Sequence, residues 1–291
     1  MLYSSLRAVN SRYRLQFPCR AFSSIIKGSK YTTEYSNYLK LPNGKIGSYF
    51  HDVDLGLDLQ TQTVNMVVEV PRWTNGKFEI SKGRRFNPIK QDIKNGMVRF
   101  VHNIFPFKGY IHNYGAIPQT WENPEHESLH GLKGDNDPLD CCEIGSAIHS
   151  IGNVRRVKIL GSLALIDDGE LDWKIIVIDI NDPMSKHMKN ISDVKRYYPG
   201  ILEATREWFR KYKIPSGKPE NQFAFEGQYR DVAEAISVIE GCHSSWKQLI
   251  SGEIKHDNII ATDRATFQVE IAPEQLPDAD IPAELNKWHY V

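Results

Sequence analysis

Two strongly apolar runs, residues 154–165 and 173–180, flank a short acidic segment, Asp167-Asp168-Gly169-Glu170-Leu171-Asp172. Runs of this length, rich in Val, Ile and Leu, read as buried strands. The segment between them is then a tight turn. One Asp-Gly pair is enough to make such a turn. Four carboxylates there repel one another unless they are solvated or neutralised by cations. An acidic turn can simply be solvated, so this cluster alone decides nothing.

Further strands precede this pair. Residues 63–70 alternate and are β-branched, and Pro71 ends them. Residues 77–80 and 97–102 read as strands beside the turn dipeptides Asn75-Gly76 and Asn95-Gly96, and 139–146 as another. Residues 25–60 look irregular, and 106–137, rich in Gly, Pro, Asn and aromatics, read as long functional loops. The pattern then changes to helix. Ile201, Leu202, Thr205, Trp208, Phe209 and Tyr212 form an apolar stripe within a helical region at 192–212, interrupted by Pro199. A second helix is expected over 230–250, and a Pro-rich arm over about 272–291. Short strands first and helices later predict a mainly β fold of the α+β class, a barrel or sheet core with helices against it.

With 36 basic and 36 acidic residues, overall charge argues against a general nucleic-acid binder. No apolar run approaches the roughly 20 residues of a membrane-spanning helix. Cys19, Cys141, Cys142 and Cys242 have neither disulfide-framework nor zinc-ribbon spacing and read as free thiols.

The N-terminus differs from the rest. Residues 1–33 carry Arg7, Arg12, Arg14, Arg20, Lys27 and Lys30 with interspersed serines, and the first acid is Glu34. That composition is expected of a mitochondrial transit peptide, and the arginines interrupt any secretory apolar stretch. The expected division is a leader over 1–24, cleaved near Arg20–Ser24, and one domain over 25–291. Removing the first four arginines leaves 32 basic against 36 acidic residues, a net charge near −4.

The most informative stretch is Gly134-Asp135-Asn136-Asp137-Pro138-Leu139-Asp140. Pro138 keeps Asp137 out of the helical region, so the stretch is extended or turned. Residues two apart in an extended chain point the same way, so Asp135 and Asp137 can converge on one ion or water, with Asp140 entering from a strand start. Such oxygen ligands suit Mg²⁺ or Mn²⁺. An EF-hand is excluded, because the sixth position from Asp135 is Asp140 rather than Gly and the twelfth is Ser146 rather than Glu.

Lys77, Arg99, Lys174, Tyr110, Tyr114 and the pair Tyr212-Lys213 offer cations and hydroxyls for phosphate oxygens. Lys77 and Glu79 alternate on one strand face, and Arg99 reads as a mid-strand charge needing a partner. Taken singly, each could be a surface ion pair. No G-x-x-x-x-G-K-[ST] loop occurs, which excludes that class of nucleotide triphosphatase. His126-Glu127-Ser128-Leu129-His130 matches H-E-x-x-H, but Pro124, Gly131 and Gly134 leave too little room for the helix a zinc site requires.

Taken together, these residues resemble the family I soluble inorganic pyrophosphatases in their fungal-like mitochondrial form. The matching stretches are 66–75, 106–124, 134–145, 169–183, 208–215 and 217–225, and the 135–140 stretch is the family's signature. The resemblance implies an OB-like five-stranded β-barrel with C-terminal helices, a homodimer, and hydrolysis of pyrophosphate to two orthophosphates with several Mg²⁺ ions. It implies that Asp135, Asp140 and Asp172 bind the first Mg²⁺, with Asp140 shared by a second. Glu79, Asp167 and Asp172 would hold ions arriving with substrate. Asp137 would take a proton from the attacking water. Lys77, Arg99, Tyr212 and Lys213 would bind phosphate, with Lys174 and Tyr110 nearby, and Glu69 and Tyr114 would support the site. A phosphohydrolase acting on nucleotides or phosphoproteins would need a surface for the organic part, and none is identifiable. A non-catalytic nucleic-acid module would show a basic groove with aromatics, not convergent carboxylates.

Overall fold

The computed structural model describes residues 22–126, 131–254, 260–265 and 270–291. Its main strands are β1 (Ser23–Gly28), β2 (Ser36–Lys40), β3 (Thr63–Val70), β4 (Phe78–Ile80), β5 (Ile89–Gln91), β6 (Asn113–Ala116), β7 (Asp140–Glu143), β8 (Val154–Asp167) and β9 (Glu170–Asp179). Helices α1 (Ile191–Tyr197), α2 (Ile201–Lys211) and α3 (Val232–Ser251) follow.

The two apolar runs are β8 and β9, joined at Asp168-Gly169, where both residues take positive φ (49° and 93°). Their sheet runs β9-β7-β6-β3-β8, and β8 pairs β9 again, so five strands close into a ring. A closed ring leaves no long exposed edge. Every pairing in it is antiparallel except β7 with β9, which sets Asp140 opposite Lys174. Gly115 permits the β6–β3 approach, since a Cβ there would meet the Val67 carbonyl oxygen at 2.0 Å. This is the OB-like barrel with C-terminal helices that the sequence implied.

Period-two alternation sorts the barrel's side chains into two apolar clusters. Val64, Met66, Cys141, Val157, Ile175 and Val177 pack with Val232, Ala235 and Ile239 of α3. Val67, Ala116, Cys142, Leu165 and Ile176 pack with Leu202, Trp208 and Phe209 of α2. Burying each such α2 side chain is worth about 1.5–3 kcal/mol. The break between α1 and α2 falls at Pro199-Gly200, with Gly200 at φ 89°. Helix α3 starts where Asp231 caps the Glu234 N–H at 2.9 Å.

Three expectations need correction. Residues 25–60 are not irregular. β1 and β2 pair antiparallel over Ser23–Lys27, and β2 continues through β5 to β4. These strands carry Ser, Asn and Lys and show no clean alternation, so only pairing reveals them. Secondly, β1 begins at Ser23, inside the segment assigned to the leader. Thirdly, 97–102 is not one strand. Met97–Val98 pairs Ile93–Lys94 around Asn95-Gly96, and a separate Asn103–Ile104 pairs Trp288–His289. Arg99 therefore lies beyond a strand end, its N–H bonded to the Asp92 carbonyl at 2.7 Å.

The Pro-rich tail runs extended. Glu274–Gln275 lies parallel to β1, and Trp288–His289 to Asn103–Ile104. Among the described residues no helix is long and apolar enough to cross a membrane. Cys141, Cys142 and Cys242 are free thiols, and Cys19 lies outside the described residues.

Candidate active site

The barrel face that packs against α2 also carries charge. Tyr114 alternates with Ala116, Asp140 with Cys142, Asp172 and Lys174 with Ile176, and Glu69 with Val67. All fourteen residues named from the sequence line one cleft between this face, β4 and the end of α2.

The register of β7 against β9 builds the centre. Lys174 Nζ lies 2.5 Å from Asp140 Oδ2, also pairs with Asp172 Oδ1, and donates to the Tyr114 hydroxyl at 2.8 Å. Tyr114 in turn donates to Asp140. Asp135 and Asp137 sit in the loop entering β7. Asn136 between them takes φ 68°, and Asp135 Oδ1 accepts the Asp137 N–H at 2.9 Å. The loop is clamped to Glu122. The Glu122 N–H donates to the Asp137 carbonyl, and the Glu122 carbonyl accepts from the Asn136 N–H, each at 2.9 Å. Gly134 is required there, because a Cβ would lie 2.6 Å from the Glu122 carbonyl.

Asp167, at the end of β8, pairs with Lys213 and accepts from the Tyr212 hydroxyl at 3.4 Å. Its neighbours in the acidic turn do less. Asp168 reaches out to Lys218 at 3.1 Å, and Glu170 is exposed. The turn is thus half solvated and half built into the cleft. On the other wall Lys77 Nζ lies 2.5 Å from Glu79, and Asp92 joins Lys77 at 3.5 Å to Arg99 at 2.5 Å. Glu69 Oε1 accepts the Ile80 N–H at 2.7 Å, tying β3 to β4.

Nine carboxyls and four cationic side chains line the cleft. The acids outnumber the bases, and burial with mutual repulsion raises the proton affinity of several of them. Burial, then repulsion from Asp140, pushes the Glu69 carboxyl well above the ordinary range. Burial and then Asp137, Asp172 and Asp140 do the same to Asp135. Burial raises Asp172 to about 7 against the pull of Lys174. Burial would lower Lys174, but Asp140 and Asp172 hold it well above the usual lysine value. Crowded carboxylates that favour protons also favour divalent cations. All the donors are oxygens, and Glu122, Asp135 and Asp172 bring theirs within 4.8 Å of one another. This donor set fits a hard cation such as Mg²⁺.

Three residues of the site were not legible in the sequence. Lys82 pairs with Asp137 and donates to the Asn136 carbonyl at 2.8 Å. Asp92 bridges Lys77 and Arg99, and Glu122 closes the back of the acidic cluster. Each sits in a loop or strand with no local pattern to mark it. Of the H-E-x-x-H match only His126 is described, in a turn, and the other four residues lie outside the described residues.

Comparison with known proteins agrees with this geometry. The inorganic pyrophosphatase family model matches residues 66–247. The chain is 59% identical over 279 residues to the mitochondrial inorganic pyrophosphatase of Saccharomyces cerevisiae, covering 94% of this chain and 90% of that one. It is 49% identical over 277 residues to the inorganic pyrophosphatase of Eremothecium gossypii, covering 91% and 96%. The inorganic pyrophosphatase structure from Schistosoma japonicum superposes with a TM-score of 0.88 at 42% identity, over 92% of this chain and 100% of that chain. The chain belongs to the inorganic pyrophosphatase family.

Proposed function

We propose that the protein hydrolyses inorganic pyrophosphate to two orthophosphates in a Mg²⁺-dependent reaction. The observation that carries this is the convergence of Asp135, Asp137, Asp140, Asp167 and Asp172 with Lys77, Arg99 and Lys213 in one cleft. Asp135, Asp140 and Asp172 would hold the first ion, Asp140 a second, and Glu79, Asp167 and Asp172 those that come with substrate. Bound Mg²⁺ supplies positive charge against the anionic substrate and lowers the pKa of the attacking water.

The chain's own residues do the rest. Asp137 is more accessible than Asp140 in the same acidic stretch, with its side chain 40% exposed against 15%. It takes the proton from the attacking water as general base. Lys82 orients its carboxylate by ion pairing. Lys77, Arg99, Tyr212 and Lys213 bind phosphate oxygens, with Lys174 and Tyr110 beside them. Phosphoryl transfer needs positioning and charge stabilisation more than covalent chemistry, and these cations stabilise charge developing on the leaving phosphate. Tyr114 fixes Asp140, and Glu69 fixes β4 relative to the barrel.

A mitochondrial location is supported by the mitochondrial name of the Saccharomyces cerevisiae relative and by the acid-free, Arg-rich residues 1–33. We place the protein in the mitochondrial matrix. A homodimer is supported by an exposed aromatic group in which Phe105 lies 6.0 Å from Trp288 and 5.4 Å from Tyr290.

Phosphate release from pyrophosphate, with Mg²⁺ and with excess chelator, tests the reading. Activity must require the metal, and fluoride must inhibit it. Full turnover in chelator, or preference for a nucleotide in a substrate panel, defeats it.

A further inference from the structure

Glu122 lies in the loop between β6 and Asp135 and is only 4% exposed. One carboxylate oxygen, Oε1, accepts the Trp173 N–H at 3.2 Å. The other, Oε2, is buried and accepts no hydrogen bond from any described residue. Leaving a carboxyl oxygen buried and unpaired is costly. That cost falls on a residue whose backbone already clamps the Asp135–Asp137 loop through two 2.9 Å hydrogen bonds. Bracing uses the Glu122 main chain and Oε1, and leaves Oε2 without a part in it.

The Glu122 carboxyl stands among other carboxyls. Glu122, Asp135 and Asp172 each bring a carboxylate oxygen within 4.8 Å of the others. The remaining oxygens are partly spoken for. Asp135 Oδ1 holds the Asp137 N–H, Asp172 Oδ1 holds Lys174, and Glu122 Oε1 holds the Trp173 N–H. Two points of the β6–β7 loop and one of β9 thus converge, and each of the three residues also anchors one carboxylate oxygen. A divalent cation there would take oxygen ligands from all three.

We propose that Glu122 is a further ligand of the divalent cation held by Asp135 and Asp172. This rests on the Mg²⁺ reading above and adds a residue to it. Beside Asp135, Asp140 and Asp172, Glu122 would be a fourth carboxylate, which adds negative charge around the two-plus ion and strengthens binding at this position. It also couples metal to fold, because the ion joins the Glu122 loop, the Asp135 loop and β9.

The test is Mn²⁺ binding to the metal-free protein, followed by electron paramagnetic resonance of free Mn²⁺, in wild type, Glu122→Gln and Asp135→Asn. Melting temperatures are recorded with and without Mg²⁺. Gln keeps a carbonyl oxygen for the Trp173 N–H. The expected result is a loss of roughly tenfold or more in the tightest Mn²⁺ affinity of Glu122→Gln. Its metal-free melting temperature should be unchanged or higher, and its gain in melting temperature on adding Mg²⁺ smaller. If Glu122→Gln binds Mn²⁺ like wild type while Asp135→Asn does not, Glu122 is no ligand and the Mg²⁺ reading stands. If both variants bind like wild type, the Asp135–Asp172 ion site itself falls. A drop in both affinity and metal-free melting temperature assigns Glu122 to bracing the loop and overturns the proposal.

Discussion

Asp135 Oδ1 accepts the backbone N–H of Asp137 at 2.9 Å, so one hydrogen bond sets the proposed metal ligand and the proposed base in fixed relation. Asn136 takes φ 68° there, and beyond it the Asp137 and Asp140 side chains are 40% and 15% exposed.

That difference separates two variants. Asp137→Asn keeps the shape but cannot accept a proton. Turnover should fall by roughly 10²–10⁴ while Mg²⁺ and substrate still bind. Residual activity should rise with pH as hydroxide becomes available. Asp140→Asn should instead weaken metal binding, since Asp140 meets Lys174 and Tyr114 and is the proposed shared ligand. A pH–rate profile beside a Mg²⁺ titration checks both. Normal turnover by Asp137→Asn at neutral pH, or metal loss matching Asp140→Asn, ends the division of roles.

The Asp172 carboxyl gives a pH dependence with a defined sign. Burial raises it from 3.8 to about 7 in the folded protein. The folded state then holds the proton more tightly than the unfolded state. This contribution to stability is fully present below about pH 3.8 and is lost as pH rises through about 7. Metal-free wild type should therefore lose melting temperature relative to Asp172→Asn between pH 4 and 7. The gain from Mg²⁺ should be larger at pH 8 than at pH 5, because protons no longer compete for the carboxylates. Paired melting curves of the two proteins across that range provide the measurement, and a flat difference between them rejects it.

The N-terminal boundary is also testable. Residues 1–21 lie before the first strand, whereas Ser24 Oγ meets the Tyr49 hydroxyl at 3.0 Å and Ile25 stands opposite Tyr38. Deleting 1–21 should leave melting temperature and hydrolysis unchanged. Deleting 1–28 removes β1 from between β2 and Glu274–Gln275 and should lower the melting temperature clearly. A tagged full-length chain should reach mitochondria and run shorter after import. Retention of an unprocessed chain in the cytosol contradicts the targeting proposal.

Much of the site was readable because its residues are locally clustered. The 135–140 stretch, the 167–172 turn and the Tyr212-Lys213 pair each announce themselves within a few positions. Arg99 was found but misplaced, since the turn at Asn95-Gly96 ends its strand early. Lys82, Asp92 and Glu122 were missed because each works through partners outside its own short window, and an isolated charge looks like any solvated surface residue.

By itself, the sequence determined the strand pair β8–β9, the strand β3, both later helical regions and the chemistry of the cleft. Those depend on local propensity, on apolar periodicity and on residue type, which are properties of short windows. Only the tertiary structure decided that β3 pairs β8 and β7 pairs β9, which closes the barrel. It also decided that the polar strands β1 and β2 form, and that Asp140 stands opposite Lys174. These depend on register between segments far apart, where a shift of one residue would turn Asp140, Asp172 and Lys174 away from the cleft. Glu122 illustrates the same limit. Its role is set by the point where three separate loops and strands meet, and no window of the sequence contains that point.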